Sequence, residues 1–280
     1  WYRDKQLTVS ASLQSFPLRE GLFAVPEAQD LDISGLVTGN VEVTGSIDNP
    51  DVSGTVTLTA LTLFDLPMDR GTSSFHYHDE VLELPDPLLE NGMGTLRGSG
   101  TVRFDPDELD IRLSGERMQI LYLPLDFLQL DEANGTVIVS GTTDHPLIQA
   151  DMEFSSLSLE DIELGCGRLR FEMDGPDISV HTETDRRITA DVTSNTSGAT
   201  RVRLETGDTP IQIDPAVVTA SLSFDCSGDF NNLDSFTGEG VCRQLQLDLP
   251  ESISLHAKNI ELNLQGMFLQ TEPFPITHPY

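Results

Sequence analysis

Apolar and polar residues alternate with a period of two along most of this 280-residue chain. Clear examples are Thr55-Val56-Thr57-Leu58-Thr59 and Arg168-Leu169-Arg170-Phe171, and turn signals such as Asp48-Asn49-Pro50 separate such segments. Successive side chains of a strand point to opposite faces of a sheet, so each segment predicts a strand with one apolar and one polar face. Helical patterns are short, over 18–24 and 125–130. The chain is therefore predicted to be all-β.

An internal repeat orders these predicted strands. The segment Thr38 to Pro50 recurs as Asn134 to Pro146, 96 positions later, and the matches continue without a gap to Phe75 and Phe171. Repeats of this kind predict an elongated stack in which each unit buries its ends against its neighbours. The predicted organisation is an end of a preceding repeat with its joint over 1–30, a first full repeat over 31–130, a second over 131–223 and a partial third over 224–280.

The charge of the chain limits its partners. Its 46 acidic and 16 basic residues give a net charge of −30, which excludes nucleic acid as a partner and disfavours broad docking onto anionic lipid headgroups. We interpret the acidity as an aid to solubility. No window approaches the roughly 18 consecutive apolar residues of a membrane helix. Because the chain opens at Trp1-Tyr2-Arg3-Asp4, without an initiator Met or signal peptide, we expect a piece of a longer protein whose membrane anchor lies elsewhere.

The three cysteines leave two alternatives open. An odd, low count argues against a disulfide scaffold, and no pair has the CxxC spacing of a metal site. In an oxidising compartment, Cys226 and Cys242 could form a bridge between nearby strands and leave Cys166 free. Alternatively, all three thiols are free.

Residues of catalytic or metal-binding type are scattered. His76 and His78 lie two apart on a predicted strand and could together bind a divalent metal. We favour a solvated strand end, because the second repeat has Glu172 and Asp174 nearby and no histidine. Carboxylates alternate with apolar residues as on a solvated face, and no nucleophile-elbow, zinc-protease, P-loop or dinucleotide-binding motif is found. We therefore predict a protein that is not an enzyme and has no metal or other cofactor.

The repeat itself resembles a known family. The pattern Gly39-x-Val41-x-Val43-x-Gly45-x-x-Asp48-x-Pro50 is similar to the repeat of the TamB family, as are the joint Phe16-Pro17-Leu18 and the stretches Gly98-Ser99-Gly100-Thr101-Val102 and Gly238-Glu239-Gly240-Val241. TamB proteins are AsmA-like proteins that bridge the inner and outer membranes of Gram-negative bacteria. The resemblance covers nearly the whole chain, and only Thr271 to Tyr280 fit poorly.

The resemblance carries expectations about fold and function. It implies an antiparallel or mixed sheet curled into a trough, the β-taco, with an apolar inner face. It also implies phospholipid transport across the periplasm, with phospholipid acyl chains as the ligand and a parent protein anchored in the inner membrane. A BamA-like barrel of the outer membrane is the implied protein partner, through regions outside this chain.

The apolar positions of the alternating segments are the predicted lining of that trough. A continuous apolar lining would let an acyl chain slide without meeting water at each step, which costs about 0.8 kcal/mol per CH₂. The predicted lining consists of Val41, Val43, Val56, Leu58, Leu61, Leu63, Phe75, Val102, Phe104, Ile111, Leu113, Val137, Val139, Met152, Phe154, Leu157, Leu159, Leu169, Phe171, Leu245, Leu247, Leu249, Leu262 and Leu264.

Two other functions use the same pattern. Alternating apolar residues also face ordinary packed cores between sheets, so the chain could be a structural β-repeat of a surface adhesin. A long sheet also leaves open strand edges, which could template the folding of outer-membrane or secreted proteins in an envelope-assembly factor. The adhesin requires a filled interior, whereas the lipid bridge requires an accessible apolar face.

Overall fold

A computed structural model gives the fold of the chain. It describes residues 7–22, 33–46, 49–63, 66–92, 94–120, 128–159, 162–195, 197–213, 215–229, 232–250, 253–266 and 268–277.

The described residues form one antiparallel sheet and a single short helix, α1 (Leu18–Leu22). This confirms the all-β prediction. Among these residues, no helix is sufficiently long and apolar to cross a membrane. The strands are β1 (Leu7–Pro17), β2 (Ile33–Gly45), β3 (Pro50–Leu63), β4 (Leu66–His78), β5 (Val81–Leu84), β6 (Leu88–Asn91), β7 (Gly94–Phe104), β8 (Asp107–Ile120), β9 (Leu128–Gly141), β10 (Pro146–Leu159), β11 (Ile162–Asp174), β12 (Asp177–Thr184), β13 (Ile188–Ser194), β14 (Ala199–Thr206), β15 (Pro210–Ile213), β16 (Ala216–Asp229), β17 (Asn232–Leu249), β18 (Ile253–Gln265) and β19 (Phe268–Thr271).

The two predicted helical segments have different outcomes. The first is confirmed in part as α1, and residues 23–24 lie outside the described residues. The second prediction is wrong over 128–130, which begin strand β9, while 125–127 lie outside the described residues. Leu128, Gln129 and Leu130 are apolar, polar and apolar in turn, and this alternation favours a strand.

The 96-residue repeat is visible in the structure. Strands β10 and β11 begin and end 96 residues after β3 and β4. The turns before β3 and β10 also match, because Gly45 and Gly141 have φ angles of 91° and 92°. In both turns, a backbone N–H donates to the carbonyl three residues later, from Ser46 to Asn49 and from Thr142 to His145, each at 3.2 Å. Glycine is favoured before the turn because it adopts this left-handed conformation without steric cost.

Contacts divide the chain into two units. The N-terminal unit comprises 1–124 and 131–149, and the C-terminal unit comprises 125–130 and 150–280. In the N-terminal unit, β1 to β4 pair in chain order, β4 pairs with both β5 and β6, these two pair with β7, and β7 pairs with β8. In the C-terminal unit, β11 to β14 pair in order, β14 and β15 pair with β16, and β16 to β19 pair in order.

Fully buried apolar side chains are concentrated beside irregular positions of the strands. Ala60, Glu132 and Asn259 have positive φ within strands, at 49°, 47° and 53°, which is unusual for residues other than glycine. Leu61 follows the first and is 1% exposed, Ala133 follows the second and is 1% exposed, and Ile260 follows the third and is 4% exposed. An irregular residue of this kind bends a strand and increases its twist. The bends thus create local cores, and the residues between them remain less buried.

Candidate functional site

In the N-terminal unit, the registers of the paired strands place apolar residues on one face of the sheet. Residues directly opposite each other in an antiparallel pair share a face. Val9 lies opposite Val43, which lies opposite Val52, and Val52 lies opposite Tyr77. The same row continues from Tyr77 to Leu82 and then to Val102 and Leu109. We call this surface the N-terminal apolar face.

Most side chains of this face are half-buried. Val41, Val43, Val56, Leu58 and Phe75 are all intermediate in exposure. At its borders, Val9 is 45% exposed and Phe104 is 44% exposed. Apart from Asp107, the residues that these registers place on the face carry no charge. The Asp107 carboxylate accepts hydrogen bonds from the Thr143 backbone N–H and hydroxyl. The face is therefore apolar and partly accessible.

The C-terminal unit repeats the arrangement. Phe171 lies opposite Val180, which lies opposite Val192, and this valine lies opposite Val202. Farther along the sheet, Leu222 lies opposite Cys242, and Cys242 lies opposite Ile260. We call this surface the C-terminal apolar face. Among the described residues that the registers place on it, none is charged.

Aromatic rings lie close to glycines on both faces. A Cβ atom added to Gly54 would lie 2.9 Å from the Phe75 ring, and one added to Gly228 would lie 2.6 Å from the Phe236 ring. Phe224 contacts Gly240 in the same way. The missing side chain lets the ring cover the backbone of the neighbouring strand. A side chain at these glycines would therefore displace the ring that packs there.

The opposite face is polar and carries the ion pairs. Arg201 donates two hydrogen bonds to Asp225, from Nε at 2.9 Å and from Nη2 at 2.5 Å. This hydrogen bonding by Arg201 holds the pKa of Asp225 below its usual range. Arg168 binds Glu153 at 2.7 Å on the same side of the C-terminal unit, and this hydrogen bond raises the Arg168 pKa. These ion pairs thus lie on the face opposite the C-terminal apolar face.

Most predicted lining residues lie on an apolar face. Their face follows from the strand registers or, in β10, from ion pairs of the adjacent residues on the opposite face. Leu61, Phe154, Leu157 and Leu169 are buried, so they contribute to local cores. Leu63 and Leu159 lie in strands, but their side chains are outside the described ones. Val137 and Val139 are half-buried in β9. The half-buried residues on an apolar face are Val41, Val43, Val56, Leu58, Phe75, Val102, Ile111, Leu113, Met152, Phe171, Leu245, Leu247, Leu249, Leu262 and Leu264, and Phe104 is exposed there.

Sequence reasoning missed several members of these faces. Val180, Val202 and Leu204 belong to the C-terminal apolar face, and Val9 and Leu82 belong to the N-terminal one. The signal was present, since Arg201-Val202-Arg203-Leu204-Glu205 alternates with a strict period of two.

The structure decides between the two alternatives for the cysteines. Cys226 lies opposite Gly238, and Cys242 lies opposite Leu222. The two cysteines are therefore four positions apart along neighbouring strands, roughly 13 Å at the usual rise per residue. A disulfide requires Cα atoms within about 7 Å, so the suggested bridge is wrong and all three thiols are free. Burial raises the pKa of both the Cys226 and the Cys242 thiols.

The predicted histidine pair lies on the polar face. The His76 and His78 rings stack with their centroids 6.2 Å apart. His76 Nε2 is 3.1 Å from Asp51 Oδ1, and His78 Nε2 is 2.9 Å from Asp79 Oδ2. Over the described ranges, no group of three or more His, Cys, Asp or Glu side chains is arranged to hold a metal ion.

A serine, a histidine and an aspartate also meet on the polar face. Ser254 Oγ is 3.2 Å from His256 Nε2, and the same hydroxyl donates to Asp248 Oδ1. In a hydrolytic triad the carboxylate binds the imidazole and leaves the hydroxyl to the histidine. Here the Asp248 carboxylate accepts the hydrogen bond of the Ser254 hydroxyl, and this hydrogen bond lowers the pKa of Asp248. The arrangement lacks the proton relay of a serine hydrolase.

Comparisons with known proteins add no relative. No family model matches the chain, and no curated protein or solved structure matches it. The fold and the site together define the class of protein: an antiparallel sheet with a polar, charged face and a partly accessible apolar face.

Proposed function

We propose that this chain is a segment of a periplasm-spanning bridge of the TamB/AsmA-like kind. Its apolar faces shield phospholipid acyl chains during transport between the inner and outer membranes. The observation that supports this most directly is the half-burial of the apolar side chains that the registers place on one face. Its role is binding and conduction, without catalysis.

The chemistry of the faces suits a hydrocarbon chain. An acyl chain gains free energy wherever apolar surface replaces water, and it needs no hydrogen-bond partner. The registers place rows of Val, Leu, Ile and Phe side chains across successive strands, with a charged residue only at Asp107. A surface without strong polar contacts binds at many similar positions, which favours sliding over tight retention.

Partial exposure also favours the bridge over an adhesin stalk. A stalk derives its stability from a filled interior, in which large apolar side chains are buried. On the N-terminal apolar face, Val43, Val56 and Phe75 are half-buried, although they lie within the sheet. As part of the same proposal, the parent protein is anchored in the inner membrane and meets an outer-membrane barrel through regions outside this chain.

Two valines provide a matched test of the proposal. Val9 is on the N-terminal apolar face and is 45% exposed, whereas Val241 is on the polar face of its strand, opposite Ser223, and is 41% exposed. We compare Val9→Asp and Val241→Asp. Because both side chains are well exposed, we expect both variants to fold. A carboxylate at position 9 would have to lose water against a bound acyl chain, and this is strongly unfavourable.

The measurement is photolabelling with a diazirine-bearing fatty acid, with the sites of the adducts determined by mass spectrometry. We expect adducts on the apolar faces and at least a tenfold loss of adducts near Val43 and Val52 in Val9→Asp. Val241→Asp should label like the wild-type chain. Equal labelling of the two faces, or equal behaviour of the two variants, would contradict the proposal.

A further inference from the structure

The segment after the last strand runs alongside the edge of β18 and places one side chain against the C-terminal apolar face. Strand β19 pairs with β18 as far as Thr271. The chain then leaves the ladder and rejoins it at Thr277, where two backbone hydrogen bonds of 2.8 and 2.9 Å link it to His256. We call residues 272–276 the covering segment. Its side chains are exposed except for Phe274, which is half-buried.

Phe274 packs on a buried cluster of the C-terminal apolar face. Cys242, Ala257 and Ile260 form a buried cluster there, exposed by only 6%, 6% and 4%. Cys242 lies opposite Ile260, and Leu245 lies opposite Ala257, so the registers place the whole cluster on the apolar face. We call this cluster the C-terminal patch. Ala220, Leu222, Leu245, Leu262 and Phe274 pack around it.

The covering segment is held by few interactions. Pro273 and Pro275 flank Phe274 and have no backbone N–H, so this stretch cannot complete a ladder with β18. Its attachments to the sheet among the described residues are the Phe274 ring, the pair of backbone hydrogen bonds at Thr277 and a hydrogen bond of 3.3 Å from the Thr277 hydroxyl to the His256 carbonyl. The neighbouring Ile276 is 59% exposed and adds little packing. The ring can therefore leave the patch without disrupting the strands beneath it.

We propose that the C-terminal patch is a binding site for a saturated hydrocarbon chain, and that Phe274 occupies this site when no chain is bound. The ring provides the apolar contact that an acyl chain would otherwise provide. Because the bound chain must displace the ring, the apparent affinity of the site is lower than its intrinsic affinity. The inference rests on the proposed function and gives one acyl chain a defined position and a competitor within the protein.

Cys242 allows this site to be observed directly. Its thiol belongs to the patch, whereas Cys226 is buried on the same face, four positions away along the neighbouring strand. The experiment measures the rate of maleimide labelling at each cysteine by peptide mass spectrometry, with and without dodecanoate below its micelle concentration. We compare the wild-type chain, Phe274→Ala and the control Phe268→Ala. Phe268 is a matched control because its side chain is 72% exposed.

We expect Cys242 to be labelled about ten times faster in Phe274→Ala than in the wild-type chain. Loss of a partly buried phenyl ring removes apolar contacts whose free energy corresponds to roughly a tenfold change in the accessibility of the thiol. Dodecanoate should slow this labelling again, at a several-fold lower concentration than the wild-type chain requires. Cys226 should label at an unchanged rate in every variant, and Phe268→Ala should behave like the wild-type chain.

Other outcomes separate this inference from the proposed function. If dodecanoate does not protect Cys242 in Phe274→Ala, while diazirine adducts still form elsewhere on the apolar faces, the inference fails and the proposed function stands. If no acyl probe binds any variant, both fail. If Cys226 also labels faster, Phe274→Ala has loosened the sheet. Thr277→Pro then provides the test, because it removes the Thr277 N–H and hydroxyl, which both donate to the His256 carbonyl, and leaves the ring and patch residues unchanged. Unchanged Cys242 labelling in Thr277→Pro would overturn the inference.

Discussion

The dependence of binding on acyl-chain length follows from the half-burial of the apolar faces. Full transfer of a methylene group from water to an apolar site contributes about 0.8 kcal/mol. On a face whose border side chains Val9 and Phe104 are 45% and 44% exposed, a bound chain contacts protein on one side and water on the other. Each methylene should then contribute about half of that value, about 0.4 kcal/mol. Two further methylenes should lower Kd about fourfold.

The assay is displacement of an environment-sensitive fluorescent fatty acid from the purified chain by decanoate, dodecanoate and tetradecanoate. All three carry one carboxylate, so repulsion by the net charge of −30 affects each Kd alike, and moderate salt screens it. The matched control is the dicarboxylic acid of each length. Its second carboxylate should prevent the far end from lying on the face, so lengthening the diacid should change Kd much less.

Two results would refute the reasoning. If Kd does not depend on chain length, the bound probe makes no contact along its hydrocarbon chain. If each pair of methylenes lowers Kd about 15-fold, the value for full transfer, the probe is enclosed on all sides. The chain would then be bound inside a closed pocket, and the open-face interpretation would be wrong.

Three further predictions concern the fold. At pH 8, the exposed Cys166 thiol should react with maleimide at least ten times faster than the two buried thiols, whose pKa values are raised by burial; equal rates would contradict the described burial. Because the folded pKa of Asp225 is lowered, its contribution to stability is present above about pH 4 and lost below it, so Asp225→Asn should lose less thermal stability than the wild-type chain between pH 5 and pH 2.5. Gly45→Ala should destabilise the chain by about 1 kcal/mol or more in urea unfolding, because its φ is 91°; an unchanged midpoint would show that this turn is not required.

The fold class and the assignment of faces could be predicted because they depend on local alternation. A period of two places every second side chain on one face, whichever neighbours the strand has. The registers therefore confirm that Val41, Val43 and Val56 share a face, as the alternation indicates. The 96-residue repeat likewise predicted a second turn like that of Gly45, and the φ angle of Gly141 matches it within one degree.

The irregular positions could not be predicted in this way. Ala60, Glu132 and Asn259 adopt positive φ although none is glycine, and their residue types give no sign that the strand bends there. They decide which apolar residues become buried cores, since Leu61 and Ile260 follow directly after two of them. Alternation shows the face of a residue but gives no information about the curvature at that residue. The same limit explains why Phe154 is buried, although its pattern equals that of the half-buried Met152.

The position of Phe274 is a tertiary effect of a different kind. The two prolines beside it interrupt the alternation, and the segment had the poorest fit to the repeat. Yet this side chain is the part of the covering segment that packs on the C-terminal patch. A residue without strand periodicity can reach an apolar face because it is free of the ladder. The polar, charged face of such a sheet is favourable in water, whereas its apolar face gains free energy when it is covered. A side chain of the protein itself or a hydrocarbon chain from outside can provide that cover. The competition between Phe274 and dodecanoate for Cys242 measures which of the two is preferred.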